Sequence, residues 1–383
     1  MTQPTQPTHV DYLVIGGGVV GLSTAWNLAR RGQHVLLLER FEAGHTRGAS
    51  HGATRNMNNA YEESHYLDLY DEAFEAWQGL EERSGERLLT LCGLVSHGNP
   101  EAITRAHDAL QARGAAVELL CADEAASRWP GMRFEGTVLA NRDAGRIHAA
   151  TALEVFAAEA REFGADIRFG HQVTRITPSD EGATVTALDP HGEELTVVAS
   201  GVIVAAGAWS QELLRGLVDL PPLRVTEEHP AHFQIRPTLV EPGAEDWWPS
   251  FNHFAPAATE PGRNNVYGML TPGEGVKVGF HMVGDVVDPD ARRFRASDLS
   301  RDALRSYVEE WFPGLDPDTA VEISCTYTNT ADGRFVLDRV GAITVAAGFS
   351  GHGFKFAPAV GRVLADAAQG IAFPPEPFRL ASH

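Results

Sequence analysis

Apolar positions follow two periods along the 383 residues. Near the start, the unbroken apolar run Tyr12 to Ile15 has the length of a buried strand. Leu22, Ala25, Leu28 and Ala29 then recur at helical spacing, and Gly32 closes that helix. Val35 to Leu38 reads as a second buried strand, with Glu39 at its carboxyl end. Gly16, Gly18 and Gly21 lie between the first strand and the helix. Strand, glycine-rich turn, helix, strand and acid in this order predict a dinucleotide site. The first glycine permits a tight turn, the second a close approach of backbone to pyrophosphate, and the third packing of helix on strand. The helix N-terminus offers N–H groups and partial positive charge to phosphates. Glu39 is placed to accept hydrogen bonds from ribose hydroxyls.

Further on, Phe41 to Asn59 reads as a loop, with the polar cluster Ser50-His51-Gly52-Ala53-Thr54-Arg55 inside it. Tyr61 to Arg83 is predicted helical, Leu88 to His97 a strand pair or hairpin, and Pro100 to Arg113 and Ala122 to Trp129 helical. Thr151 to Phe163 reads as a helix, Ile167 to Ile176 and Ala183 to Leu188 as strands, with Thr196 to Val198 pairing nearby. Gly201 to Ser210 is a buried strand running into a small-residue turn, which places backbone close to a ligand. From Pro221 to about Cys325, alternating strands dominate, among them His232 to Ile235, Asn265 to Met269 and Val276 to His281. The helix Ser300 to Trp311 interrupts them. The end returns to the first pattern: strand Ile343 to Ala347, glycine-rich turn Gly348 to Phe354, helix Ala359 to Gln369. The expected fold is α/β. It has a Rossmann-like dinucleotide domain (residues 1–86, 145–222 and 322–383) and an inserted, mostly antiparallel α+β substrate domain (87–144 and 223–321).

Composition narrows the classes. A net charge of −20 disfavours nucleic acid and anionic membrane surfaces, which need a basic footprint. Cys92, Cys121 and Cys325 form no C-x-x-C pair, which suggests a reducing compartment. The start, Met1 to His9, is polar, and no apolar run approaches membrane-spanning length. A cytoplasmic protein with no metal site is expected.

Ser50 to Arg55, Ala206-Gly207-Ala208-Trp209-Ser210, Lys277 to His281, Cys325-Thr-Tyr-Thr328 and Ala347 to Lys355 occur in that order. With the glycine-rich start, they make the chain resemble the monomeric sarcosine oxidase and N-methyltryptophan oxidase family of D-amino-acid-oxidase-like flavoproteins. The resemblance covers nearly the whole chain, and its last motif is the most specific. It implies FAD, with the flavin ring between the two domains and a thioether from Cys325 to the flavin 8-methyl carbon. Read alone, Cys325 is first a small buried hydrophobe, since free cysteine is often one; the resemblance reverses that reading. Cofactor contacts are implied at Gly16, Gly18, Val19, Val20, Gly21, Glu39 and Arg40, then at Ser50, His51, Thr54, Arg55 and Val173. They continue at Ala206, Gly207 and Trp209 and at Gly348, Gly351, His352, Gly353, Phe354 and Lys355.

The resemblance also implies roles. Lys277 activates O2 electrostatically, though a lysine in an alternating strand can simply face solvent. His281 shares its strand face and is a second pocket residue or a core histidine. Lys355 binds a substrate carboxylate, or is a surface lysine at a helix start. Tyr327 and Tyr267 line the substrate pocket, and Arg55 lies near the flavin, where a cation favours the reduced anionic form. The sarcosine pattern has a second arginine three residues after the first; here Asn58 occupies that place. A charged clamp becomes at best a neutral hydrogen bond, about half as strong. Trp247, Trp248, Phe251 and Phe254 are either a wall for a larger amine or ordinary packing. The implied activity is oxidation of the C–N bond of a secondary amine by a monomer, with O2 reduced to H2O2. A dehydrogenase with another acceptor, a sugar-amine oxidase and a flavin-binding subunit without turnover are the alternatives.

Overall fold

The computed structural model describes residues 7–239, 247–255 and 265–383. Residues 1–6 of the polar start lie outside the described residues. The fold is α/β, built on two eight-stranded sheets.

The first sheet carries the dinucleotide pattern. Strand Thr8–Ile15 pairs in parallel with Val35–Leu38 on one side and Glu194–Val204 on the other, with Tyr12 opposite both Val35 and Gly201. Glu194–Val204 also pairs in parallel with Ile343–Ala347, Val202 opposite Ile343. The carboxyl ends of four strands therefore converge where the chain turns at Gly16, Glu39, Ala205 and Gly348. Helix Val19–Ala29 is buried along its whole length. It is clasped by helices Ala149–Glu162 and Ala357–Gln369. A Cβ on Gly361 would stand 2.2 Å from Ser23 Oγ, so glycine sets how closely the last helix packs on the first.

The second sheet is antiparallel except at one pair. Leu94–Gly98 and Ser250–Phe254 run parallel, and they join a segment of 94–141 to a later one of 231–322. Gly275–Phe280, which bears Lys277, lies between Ala231–Phe233 and Val266–Thr271. Two three-stranded sheets complete the architecture. Thr54–Met57, Gly145–His148 and Leu89–Thr90 form one; Arg224–Glu228, Cys325–Asn329 and Asp285–Val286 form the other.

Several predicted elements differ. Leu88 to His97 is no hairpin: Leu89–Thr90 and Leu94–Gly98 belong to different sheets, because Gly93 turns the chain with φ +86°. The loop after Glu39 contains the strand Thr54–Met57, whose polar composition gave no strand signal. Ile167 to Ile176 is two strands, Asp166–Arg168 and Gln172–Ser179, split at Gly170 with φ +74°. Thr196 to Val198 and the run from Gly201 are one strand of 11 residues. Ser200-Gly201 interrupts the apolar run without ending the strand. A Cβ on Gly201 would meet the Tyr12 ring at 2.8 Å, so the glycine accommodates that ring. No helix of the described residues is long and apolar enough to cross a membrane.

Candidate active site

At the glycine-rich turn the chain brings backbone together. Gly16 has φ +108°, and a Cβ there would lie 2.4 Å from Ala205 O. On Gly21 it would lie 1.9 Å from Gly16 O. Helix Val19–Ala29 begins without a side-chain cap at Gly18. Glu39 is 7 % exposed; its Oε2 accepts from Gly17 N at 2.6 Å and its Oε1 from Phe41 N at 2.9 Å. Ser50 Oγ accepts from Val19 N at 3.1 Å and holds the following loop over the turn. Arg40 donates to both oxygens of Asp290, which also accepts from Trp209 Nε1 at 3.0 Å.

From this turn a cavity of about 1600 Å³ runs to the edge of the second sheet. Pockets for single drug-sized ligands span roughly 300–1,000 Å³, so there is room for a dinucleotide and a further small molecule. Arg55, Tyr267, Lys277, His281, Cys325, Tyr327 and Lys355 all line it, though they come from widely separated segments. So do Gly16, Gly18, Val19, Val20, Glu39, Arg40, Ser50, His51, Val173, Ala206, Gly207, Trp209, Gly348, Gly351, His352, Gly353 and Phe354. Gly21 packs behind the turn. Thr54 sits behind Lys277: its carbonyl accepts from Lys277 Nζ at 3.2 Å and from Arg55 at 2.8 Å.

Neither lysine faces open solvent. Lys277 is 3 % exposed and Lys355 is 5 %. Burial pulls Lys277 down to about 7, with the Arg55 cation adding to the effect. Burial alone brings Lys355 to about 7. Lys355 Nζ donates to His352 O at 3.0 Å and lies over the rings of Tyr61 and Phe356. Lys355 follows Gly351 and Gly353, where a Cβ would strike the Tyr327 and Phe349 rings at 2.2 and 2.6 Å. The glycines thus let the last turn pass close beneath the aromatic wall.

His281 lies one residue past its strand and holds its place by donating N–H to Asn265 O. Its ring lies tilted against Tyr327 at 5.4 Å and edge-on to Tyr267 at 6.3 Å. Burial, then Lys355, depresses it to about 4, so it is a neutral imidazole at physiological pH. Burial raises Tyr267 to about 12 and Tyr327 well above the ordinary phenol value, so both remain protonated. His51 is brought to about 4 by burial and by Arg55. Beyond the glycine-rich turn the cavity therefore holds the Arg55 cation and two lysines that change charge near neutral pH, walled by neutral aromatic donors.

Asn58 is committed internally. Its Oδ1 accepts from Ala60 N at 2.8 Å and its Nδ2 donates to Asn252 Oδ1, which in turn ties to Ser96 Oγ through Asn252 Nδ2. The aromatic segment after it divides. Trp248 and Phe251 are 0 % and 1 % exposed in the core of the second sheet, and Trp247 packs against that core; only Phe254 lines the cavity. Asn252 and Tyr61 are cavity residues that sequence reasoning missed. Asn252 has only its alternation with His253 as a signal, and Tyr61 falls before the helix expected from it, which begins at Ser64.

Known proteins place this geometry in context. The family model described as FAD dependent oxidoreductase matches residues 11–367. Human peroxisomal sarcosine oxidase is 32% identical across 97% of this chain and 95% of its own. N-methyl-L-tryptophan oxidase of Yersinia pestis is 29% identical across 94% and 95%. Among solved structures, NikD, described as an unusual amino acid oxidase essential for nikkomycin biosynthesis, superposes with a TM-score of 0.83. It is 27% identical, and the match covers 97% of this chain and 96% of NikD.

Proposed function

The chain belongs to the family of FAD dependent oxidoreductases, and from that premise we propose that it oxidises the C–N bond of a secondary amine that carries one carboxylate, with O2 as acceptor and H2O2 as product. One observation carries the reading: two nearly buried lysines, Lys277 and Lys355, share a cavity with Cys325 and the glycine-rich turn.

The residues present fit FAD. Only glycine is tolerated at Gly16 and Gly21, and a helix start whose N-cap residue Gly18 carries no capping side chain faces the space a pyrophosphate would take. Glu39 spends one interaction per oxygen on backbone N–H groups, leaving lone pairs for ribose hydroxyls. Cys325 lines the cavity and is the residue proposed to bear the covalent flavin. When bound, the flavin supplies the two-electron acceptor for C–N oxidation.

The chain's own residues set what is oxidised. Lys355 has three donors, of which His352 O takes one, so a substrate carboxylate is held from a single cationic point. Asn58, engaged with Ala60 and Asn252, adds no charge to that grip. Arg55, and Lys277 and Lys355 in their protonated forms, favour the neutral amine over the ammonium, because like charge lowers the pKa of a bound amine. The nitrogen lone pair is then available without a strong general base. Lys277 is assigned the stabilisation of the negative charge that develops as O2 accepts electrons.

Oxygen uptake and peroxide release on N-methyl and cyclic secondary amines, each with and without a carboxylate, test the reading. Turnover confined to carboxylate-bearing secondary amines is expected. Anaerobic bleaching followed by slow reoxidation in air would convert it to a dehydrogenase. A flavin that no amine bleaches would leave only a binding role.

A further inference from the structure

Lys355 is nearly buried, yet among the described residues no carboxylate pairs with it. Its Nζ donates to His352 O at 3.0 Å and lies 5.2 Å from the centroid of the Tyr61 ring and 4.9 Å from that of Phe356. Trp77 Nε1 donates to Lys355 O at 2.8 Å and fixes its backbone. The hydrogen bonds around His352 have one consistent assignment. Gly333 O, 3.2 Å from His352 Nε2, can only accept, so Nε2 carries the ring proton. Burial lowers this imidazole to about 3, with Lys355 adding to the effect, so Nδ1 is a bare acceptor. The Tyr61 hydroxyl, 3.1 Å from Nδ1, therefore donates to it. Burial raises that phenol well above its ordinary value, so the proton stays on Tyr61. The bond pins the Tyr61 ring beside the ammonium.

We propose that Tyr61 is a positioning residue for Lys355: its ring face, pinned by His352, supports the ammonium in place of a counter-ion, so that the anion Lys355 meets is the substrate carboxylate, and a proton enters with it. The inference rests on the carboxylate-bearing substrate proposed above. A buried ammonium without an anion gives up its proton unless something uncharged stabilises it. The negative face of an aromatic ring does so, and more strongly where water is excluded. A carboxylate fixed in the protein would hold the charge better, but it would compete with the substrate for the N–H donors that His352 O leaves free. Lys355 is instead left near the point of losing its proton, and an arriving carboxylate, as an opposite charge, draws one from solvent onto Nζ.

The titratable groups on the adjoining segments do not take this part. His281 is a neutral imidazole, and burial keeps Tyr66 and Tyr327 protonated. Arg55 lies over the Phe354 ring. Glu63 is exposed, and Asp332 is paired with Arg334.

The test counts protons taken up when methoxyacetate, an acid with an ether oxygen in place of the amine nitrogen, binds to the flavin-loaded protein. Calorimetry in buffers of different ionisation heat supplies the count. Wild type should take up most of one proton per methoxyacetate at pH 8 and little at pH 6, and Lys355→Met none at either. In turnover, the alkaline limb of kcat/KM for a carboxylate-bearing amine should move down by about 0.5–1.5 pH units in Tyr61→Leu, the scale of one desolvated cation–π contact. Tyr61→Phe, which keeps the ring face, should leave that midpoint in place and raise KM only a few-fold. The limb of a carboxylate-free amine should respond to neither change, a distinction that a merely structural tyrosine would not produce. An unmoved midpoint in folded Tyr61→Leu overturns the proposal. So does a midpoint that falls as far in Tyr61→Phe, since the ring face would then not be the cause. If Tyr61→Leu does not fold, a wild type that takes up no proton at pH 8 overturns it, and so does uptake that survives in Lys355→Met. Methoxyacetate that binds wild type no better than Lys355→Met defeats the carboxylate reading itself, a separate failure.

Discussion

The two ends of the cavity are built from different materials. At the glycine-rich end the lining is backbone: Gly16 and Gly21 remove side chains, and Glu39 and Ser50 turn their oxygens to main-chain N–H groups. At the other end the lining is side chains, with Lys277, Lys355 and Tyr327 buried at a cost in desolvation and His281 half-buried beside them. Backbone sites are cheap to fold and intolerant of added atoms. Side-chain sites fold against their own charge and tolerate substitution while losing chemistry.

That contrast is most sharply broken at Gly21. A Cβ there meets Gly16 O at 1.9 Å, with no flexible group to yield. Gly21→Ala should give protein without flavin, or none folded, judged by the visible spectrum and circular dichroism. A yellow, folded Gly21→Ala would break the comparison at its firmest point.

Lys277→Met should retain flavin and be reduced by amine anaerobically, yet react with O2 about 10²–10³-fold more slowly, the scale of losing one preorganised electrostatic donor. Stopped-flow reoxidation measures this. The same change should raise the melting temperature at neutral pH. Folding lowers the lysine from 10.5 to about 7 and so disfavours its protonated form; the penalty is full below pH 7 and fades as pH climbs toward 10.5. The stability gap between variant and wild type should therefore narrow across that window. A destabilised Lys277→Met would show that this end does not fold against its charge.

Lys355→Met should raise KM for a carboxylate substrate by about 10–10²-fold, as expected for a hydrogen bond to a charged group worth roughly 1.5–3 kcal/mol. In wild type, kcat/KM for that substrate should fall above about pH 7 as Lys355 loses its proton. A carboxylate-free amine should lack the part of that alkaline limb owed to Lys355. The smallest effect is expected at Asp290, whose pair with Arg40 is half exposed. Asp290→Asn in a Cys325→Ser background should speed flavin loss only a few-fold, since surface ion pairs contribute about 0–1 kcal/mol.

The same contrast governs what the sequence discloses. Gly16, Gly18, Gly21 and Glu39 lie within 24 positions and carry a local signal, and the structure places them around one turn. Lys277, Cys325 and Lys355 are scattered, and periodicity alone left each with a bland reading; resemblance singled them out. Their burial was invisible because it depends on which sheets meet. The internal capture of Asn58 depends on Asn252, 194 positions away, so sequence marked the missing arginine but not what replaced its contact.

The pairing of Glu194–Val204 with Ile343–Ala347 bears on how the protein is made. On the ribosome, the strand that begins the nucleotide fold must wait for more than three hundred residues to be synthesised before the last strand and helix arrive. Until then helix Val19–Ala29 lacks the clasp of Ala357–Gln369, and its apolar flank is open to chaperones or to aggregation. Contacts of such sequence separation form slowly. Flavin capture is then a late event in the life of the chain, and synthesis stalled before residue 343 should yield a product that no supply of riboflavin can rescue.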